Sequence, residues 1–287
     1  MVDTKLLNEW FAIPPDELVA RSPIPLRILP SAGDVMRDFA DTLFQEFLEG
    51  RDAGRDLSII VPVGPTLHYP MLAERINESR LRLDHVTFFG MDNWLDWEGR
   101  LLPLDDPLSL EGQFHRLFLD RVQPDLRPRP ENVIFPTPTD LDRSAREIER
   151  RGRVSTTYGG VGFQGHLAFN EPPGSRWTAV SLEQLRQSRT RISSVSIDTT
   201  IVTAQRSAGG NVFAIPPMAV TLGMRELLAA KRMRLYPEPA PWKAAIVRIL
   251  LFSEPTVEFP ATLVHDHPDV EVVVDEASSQ CPMAALT

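Results

Sequence analysis

Apolar positions along the chain fall into short runs that alternate with amphipathic stretches. Val35, Phe39, Leu43 and Phe47 recur at intervals of four, which draws one apolar face on a helix starting after Ser31, a plausible N-cap, and running to about Glu49. Leu57–Val63 is continuously apolar, as a strand buried on both faces should be. The same alternation predicts strands at Leu26–Leu29, Val86–Gly90, Asn132–Phe135, Val154–Tyr158, Val212–Ile215, Met233–Tyr236, Thr262–Val264 and Val270–Val274. Helices are predicted over 66–79, around Phe114–Phe118, and over 139–151, 198–207, 223–230 and 241–250. Between Gly90 and Ser109 a connection rich in Trp, Asp and Pro reads as irregular. Strands alternating with helices imply an α/β fold: a doubly wound, mainly parallel sheet with helices on both faces. Ligands then bind at the carboxyl ends of strands.

No internal repeat or linker divides the chain. The expected organisation is an N-terminal arm over 1–24, one α/β domain over 25–277 and a tail over 278–287. In the arm, Leu6, Leu7, Trp10 and Phe11 form one face of a short helix before the Pro14-Pro15 break. The 26 prolines are scattered and punctuate loops.

Composition narrows the class. With 287 residues, 43% hydrophobic and 24% charged, the chain suits a globular domain with a large core. A formal charge of −9 disfavours nucleic acid or an anionic membrane as the main partner, although a local basic pocket for a small anion remains compatible. Cys281 is the lone cysteine, so no internal disulfide forms and no Cys-based metal site is expected. It reads as a bland thiol in a polar tail, and the reducing cytoplasm is the expected setting. The start lacks a signal-peptide pattern, and no apolar run reaches the ~20 residues of a membrane span.

Three strand ends carry candidate chemistry. Val61-Pro-Val-Gly-Pro-Thr66 is a strand-to-helix turn that could present N–H groups to an anion; a plain tight turn is the more common meaning of one glycine, here Gly64, and Pro65 removes a donor. Asp92 lies just past an apolar strand, where partial drying would raise its pKa toward proton-transfer use; a turn aspartate is the bland alternative. Tyr158-Gly-Gly-Val-Gly-Phe-Gln-Gly-His-Leu-Ala-Phe-Asn-Glu-Pro172 places His166 and Glu171 after a glycine-dense turn containing Gly160 and Gly162. A carboxylate near an imidazole can fix its tautomer and support its charged form.

This last segment resembles the signature of the glucosamine-6-phosphate deaminase (isomerase) family, G-G-x-G-x-D-G-H-x-A-F-N-E-P. Phe89-Gly-Met-Asp-Asn-Trp94 is similar to the family's F-N-M-D-E-Y, and Ser188-Arg-Thr-Arg191 to its S-R-T-R. Asp198-Thr199 is similar to D-T-R, Ala219-Val-Thr-Leu-Gly223 to A-L-T-V-G, and Pro241-Trp-Lys243 to the lysine-bearing G-x-x-K. Order and spacing agree over residues 25–277. The resemblance implies a deaminating aldose–ketose isomerase that needs no cofactor or metal and acts on an amino-sugar phosphate, converting glucosamine 6-phosphate to fructose 6-phosphate and ammonia. It implies that His166 opens the sugar ring, Glu171 orients His166, and Asp92 carries the C2 proton to C1. Lys243 and Thr66 would meet the phosphate.

The chain departs from the family at several points. Gln164 stands where the family has an aspartate that could tune the histidine, and its loss would lower the pKa of His166. Pro62-Val-Gly-Pro-Thr-Leu67 replaces a P-T-G-G-T-P loop. The phosphate-binding arginine falls on Gln205, with Arg206 one position and about 100° away. These changes point to an altered substrate: another amino-sugar phosphate, or a sugar with a different anionic group. Two alternatives stand beside this: a sugar-lactone hydrolase, since 6-phosphogluconolactonases share the fold, and a sugar-binding or regulatory protein without turnover. A segment over 173–187, longer than the family's link, contains a predicted Ser181/Gln184 capping pair and serves as a lid, a subunit contact or decoration. Arg189 and Arg191 leave an effector site open, and a homo-oligomer is left open as well.

Overall fold

The computed structural model describes residues 3–174 and 178–282. Three residues of the 173–187 segment and the last five of the tail lie outside it. The strands are β1 Leu26–Leu29, β2 Leu57–Val61, β3 Val86–Gly90, β4 Asp92–Leu95, β5 Val133–Ile134, β6 Thr156–Gly159, β7 Arg191–Ser194, β8 Met218–Thr221, β9 Arg232–Leu235 and β10 Val270–Asp275. The helices are α1 Thr4–Phe11, α2 Pro15–Arg21, α3 Ala32–Asp52, α4 His68–Ser79, α5 Leu110–Leu117, α6 Arg143–Arg150, α7 Leu182–Arg186, α8 Ile197–Ser207, α9 Met224–Leu228 and α10 Ala244–Phe252.

Seven strands form one sheet in the order β1-β10-β9-β6-β2-β3-β5, and every neighbouring pair is parallel. Alternate residues of the central strands feed separate cores. Ile59, Val61 and Phe88 pack with Val35, Phe39, Leu43 and Phe47 of α3, while Ile60 and Phe89 pack with Leu250 and Leu251 of α10. Burying each such side chain contributes about 1.5–3 kcal/mol before conformational entropy is counted. Ser31 caps α3 by accepting from the Asp34 N–H at 3.2 Å. Chain order reverses between β2 and β6, so the loops leaving these neighbours diverge and open a crevice at their carboxyl ends.

A second sheet, β4-β8-β7, is antiparallel and was absent from the sequence-based expectation. Met91 leaves the main sheet, donating to the Val61 carbonyl, and accepts from Leu222 N–H at 2.8 Å as β4 turns toward β8. The supposed irregular connection after Gly90 therefore begins as a strand. Two predicted strands fail in the opposite sense. Val212–Ala214 and Pro260–Asp266 are 3₁₀ turns. In the second, Pro260 stands at the start of the turn, where its fixed φ suits a helix and its missing N–H costs nothing. The 241–250 helix is instead a 3₁₀ turn, Pro241–Lys243, running into α10.

The arm is integral to the fold. Ile13 and Leu18 are buried in the core. The buried Arg248 guanidinium donates to the Ile13 carbonyl at 3.0 Å and the Ser279 carbonyl at 2.9 Å, joining arm to tail. Cys281 is partly covered and lies against the Ile13 carbonyl, so it is less of a surface thiol than its polar neighbours suggested. Among the described residues no helix is long and apolar enough to cross a membrane.

Candidate active site

A cleft of about 530 Å³ occupies the crevice at the β2/β6 switch. Its lining includes eight of the predicted site residues: Gly64, Thr66, Asp92, Gly160, Gly162, His166, Arg206 and Lys243. Glu171, which is buried, and Gln164, which is partly exposed, are not among the lining residues. The two loops that leave β2 and β6 touch: a Cβ on Gly160 would lie 2.7 Å from the Gly64 carbonyl oxygen. A Cβ on Gly162 would lie 1.8 Å from the His166 Nε2, so this glycine makes room for the imidazole itself.

Asp92 opens β4 opposite Thr221 of β8. It is 8% exposed, and burial raises its pKa to about 7. A carboxyl poised there can both take and return a proton at neutral pH. Its neighbour Asn93 turns away to brace α5, accepting from the Glu111 N–H at 3.1 Å.

His166 is driven the other way. Burial, reinforced by the Lys243 ammonium, lowers its pKa to about 3, so the ring is neutral at working pH. Its Nδ1 stands 3.8 Å from Glu171 Oε1, and neither atom has a hydrogen-bond partner. That separation is too long for a hydrogen bond, yet a shift of under an ångström would close it. The other Glu171 oxygen accepts from the Ser196 N–H, at the N-cap of α8, at 2.7 Å. The ring plane of His166 lies 21° from that of Phe169, which packs on Trp94.

Gln164, where the family's aspartate would stand, donates its amide to Asp198 in the first turn of α8, and the pKa of His166 is lowered by burial and by Lys243. Arg191 likewise has a structural task, donating to the Asn170 side chain at 2.7 Å; Asn170 in turn donates to the Leu167 and Leu222 carbonyls. Ser188 accepts from Met224 N–H at the start of α9. These contacts tie the segments at 167–171, 188–191 and 219–224 into one support for the cleft floor. Ser181 and Gln184 form the predicted capping box of α7.

The same cleft carries a cationic cluster. Lys243 is 1% exposed; its ammonium donates to the Val161 carbonyl and sits 4.3 Å from the Trp242 ring centre. Burial, with help from Arg206, lowers its pKa to about 7. The face of α8 toward the cleft carries Thr199, Val202, Thr203, Arg206 and Ser207, a spacing of three and four. That period admits Arg206 and leaves Gln205 exposed outside, so no backbone adjustment is needed to bring the arginine in. Arg206 forms an ion pair with Glu238, a lining residue that the sequence pattern did not single out. Among the described residues no group of three His, Cys, Asp or Glu side chains is gathered to hold a metal ion.

No family model matches the chain. Among solved structures, a monomeric glucosamine-6-phosphate deaminase of the NagB superfamily superposes with a TM-score of 0.76 at 22% identity, covering 90% of this chain and 100% of that one. The chain has the NagB-superfamily fold. The 6-phosphogluconolactonases of Thermotoga maritima and Trypanosoma brucei share it at TM-scores of 0.62, each at 16% identity. They cover 88% and 90% of this chain and 98% of their own. The NagB-type fold thus accounts for the parallel sheet and for a cleft at its switch point.

Proposed function

We propose that the chain is a deaminating aldose–ketose isomerase acting on an amino sugar with a terminal anionic group, glucosamine 6-phosphate being the reference substrate. The observation that carries this is the pairing, in one cleft, of a buried carboxyl poised near neutrality and a neutral imidazole. The cationic residues Lys243 and Arg206, which line the same cleft, supply an anchor. Neutral His166 takes the anomeric hydroxyl proton and returns it to the ring oxygen, opening the ring. Ionised Asp92 takes the C2 proton and delivers it to C1, while a proton of the amine passes to O1 through solvent, so that the aldehyde becomes a hydroxyl and the amine a ketose-level imine. Water adds to that imine and ammonia leaves, so aldose amine plus water gives ketose plus ammonia. Each positioned acid or base contributes roughly 10²–10⁴ in rate.

The test follows ammonia and ketose phosphate together from glucosamine 6-phosphate. Equal yields of both, abolished by Asp92→Asn, support the proposal. Tight binding of hexosamine phosphates and sulfates without ammonia from any of them sinks it. The lactonase structures of the same fold carry a second reading, in which His166 activates water against a sugar lactone. Lactone hydrolysis that survives Asp92→Asn would favour it.

A further inference from the structure

The cationic end of the cleft contains its own anion. Lys243 and Arg206 bring two positive charges, and Glu238 takes the Arg206 guanidinium in a direct ion pair. Glu238 and Arg206 are 33% and 41% exposed, so the pair faces the cleft rather than the core. Burial also weakens the hold of Lys243 on its proton. Two cations against one carboxylate leave a net charge of one or less where the sugar's terminal group would dock. The remaining groups add nothing positive: His166 is neutral, and Asp92 at the other end is neutral or negative.

A dianion entering this end meets a mismatch. It must either share Arg206 with Glu238, placing like charges side by side, or displace the carboxylate and leave it beside two negative charges. A singly charged oxyanion balances the cluster as it stands. We propose that Glu238 is a specificity-determining residue that makes the cleft favour a sugar bearing a singly charged terminal oxyanion over its dianionic phosphate counterpart. This rests on the amino-sugar reading above for the sugar, but not for the charge selection.

Glucosamine 6-sulfate and glucosamine 6-phosphate separate the two charges at nearly constant shape. At pH 7 the phosphate ester is mostly dianionic, its second pKa being about 6. Binding is followed by calorimetry and by the fluorescence of Trp242, which lines the cleft beside Lys243. Methyl sulfate and methyl phosphate repeat the comparison without the sugar. The wild-type protein is expected to bind the sulfate about threefold or more tightly than the phosphate. Glu238→Gln should reverse the order by tightening the phosphate about tenfold, and Glu238→Asp, which keeps the charge, should retain the wild-type order. A wild-type preference for phosphate overturns the proposal. So does a Glu238→Gln variant that changes both ligands equally or neither, or a protein that binds none of the four anions. If the methyl esters show the expected order while neither sugar binds, charge selection stands and the amino-sugar reading falls.

Discussion

The two ends of the cleft are governed by different physics. Around Asp92 burial dominates: it lifts the carboxyl to about 7, so that it is close to half-ionised at neutral pH, and, reinforced by Lys243, it depresses His166 to about 3, leaving the imidazole uncharged. Around Lys243 burial also lowers the ammonium to about 7, but here charged neighbours take part: Arg206 adds to the lowering, Glu238 opposes it, and the two are themselves ion-paired. The first end is tuned for moving protons and tolerates little change in shape. The second is tuned for charge balance and should tolerate shape changes better than charge changes.

The harshest way to break the first end leaves every titratable group in place. Gly162→Ala puts a methyl 1.8 Å from the His166 Nε2 position and must push the ring aside. Ammonia release should fall by about 10² or more, the scale of a lost acid–base group, with the midpoint of thermal unfolding little changed. Normal turnover would show that the imidazole's place is not critical.

A pH profile sharpens the contrast between the ends. Asp92 must be ionised to accept the C2 proton, so kcat/KM should rise as pH climbs toward about 7. Lys243 attracts the anionic terminus only while protonated, so kcat/KM should fall above about 7 through a rising KM. The two limbs then meet in a narrow bell whose apparent values belong to the coupled system. Unphosphorylated glucosamine, without an anionic terminus, should keep the rising limb and lose the falling one. A falling limb of equal size with glucosamine would mean that the upper ionisation acts on chemistry and not on anchoring.

The smallest expected effect lies behind the cleft. His68 is fully buried, stacks on Phe39 at 3.8 Å, and has no hydrogen-bond partner at either ring nitrogen. Burial lowers its pKa to about 3. Its contribution to stability is therefore complete above the unfolded-state value of 6.5 and is lost as pH falls toward 3. His68→Phe should add about 1 kcal/mol at pH 7, by removing a desolvated polar ring, and more at pH 5, as read by urea denaturation. A variant less stable at both pH values would show that the imidazole is better satisfied than its surroundings suggest.

The sequence made much of the main sheet legible because its strands announce themselves by burial: Leu57–Val61 is apolar on both faces, and the four-residue period of α3 has no competing interpretation. It hid β4-β8-β7 because Asp92 and Asn93 put polar side chains where a buried strand was expected to be apolar, and β7, Arg191–Ser194, is mostly polar and only partly covered. It misplaced strands at Val212 and Thr262 because a short apolar run says that residues are buried, not whether they are extended. Asp92 and His166 stood out through their glycine-rich or strand-end settings. Glu238 did not, since its role depends on α8 approaching the 236–243 loop, a non-local meeting that no spacing records. The partner of Gln164 was hidden for the same reason: Asp198 lies 34 positions away.

The Arg248 clamp bears on where this fold can be cut. Its guanidinium is buried and is held by carbonyls from Ile13 and Ser279, so both ends of the polypeptide act as its counter-pole. A shortened chain starting at residue 25 would strip one of those carbonyls and strand a permanent cation in an apolar interior. Joining the two ends and opening the ring of chain elsewhere, at an exposed turn such as Gly209-Gly210, would leave the clamp whole. The N-terminal arm is thus a less forgiving place to cut than a loop in the middle of the chain.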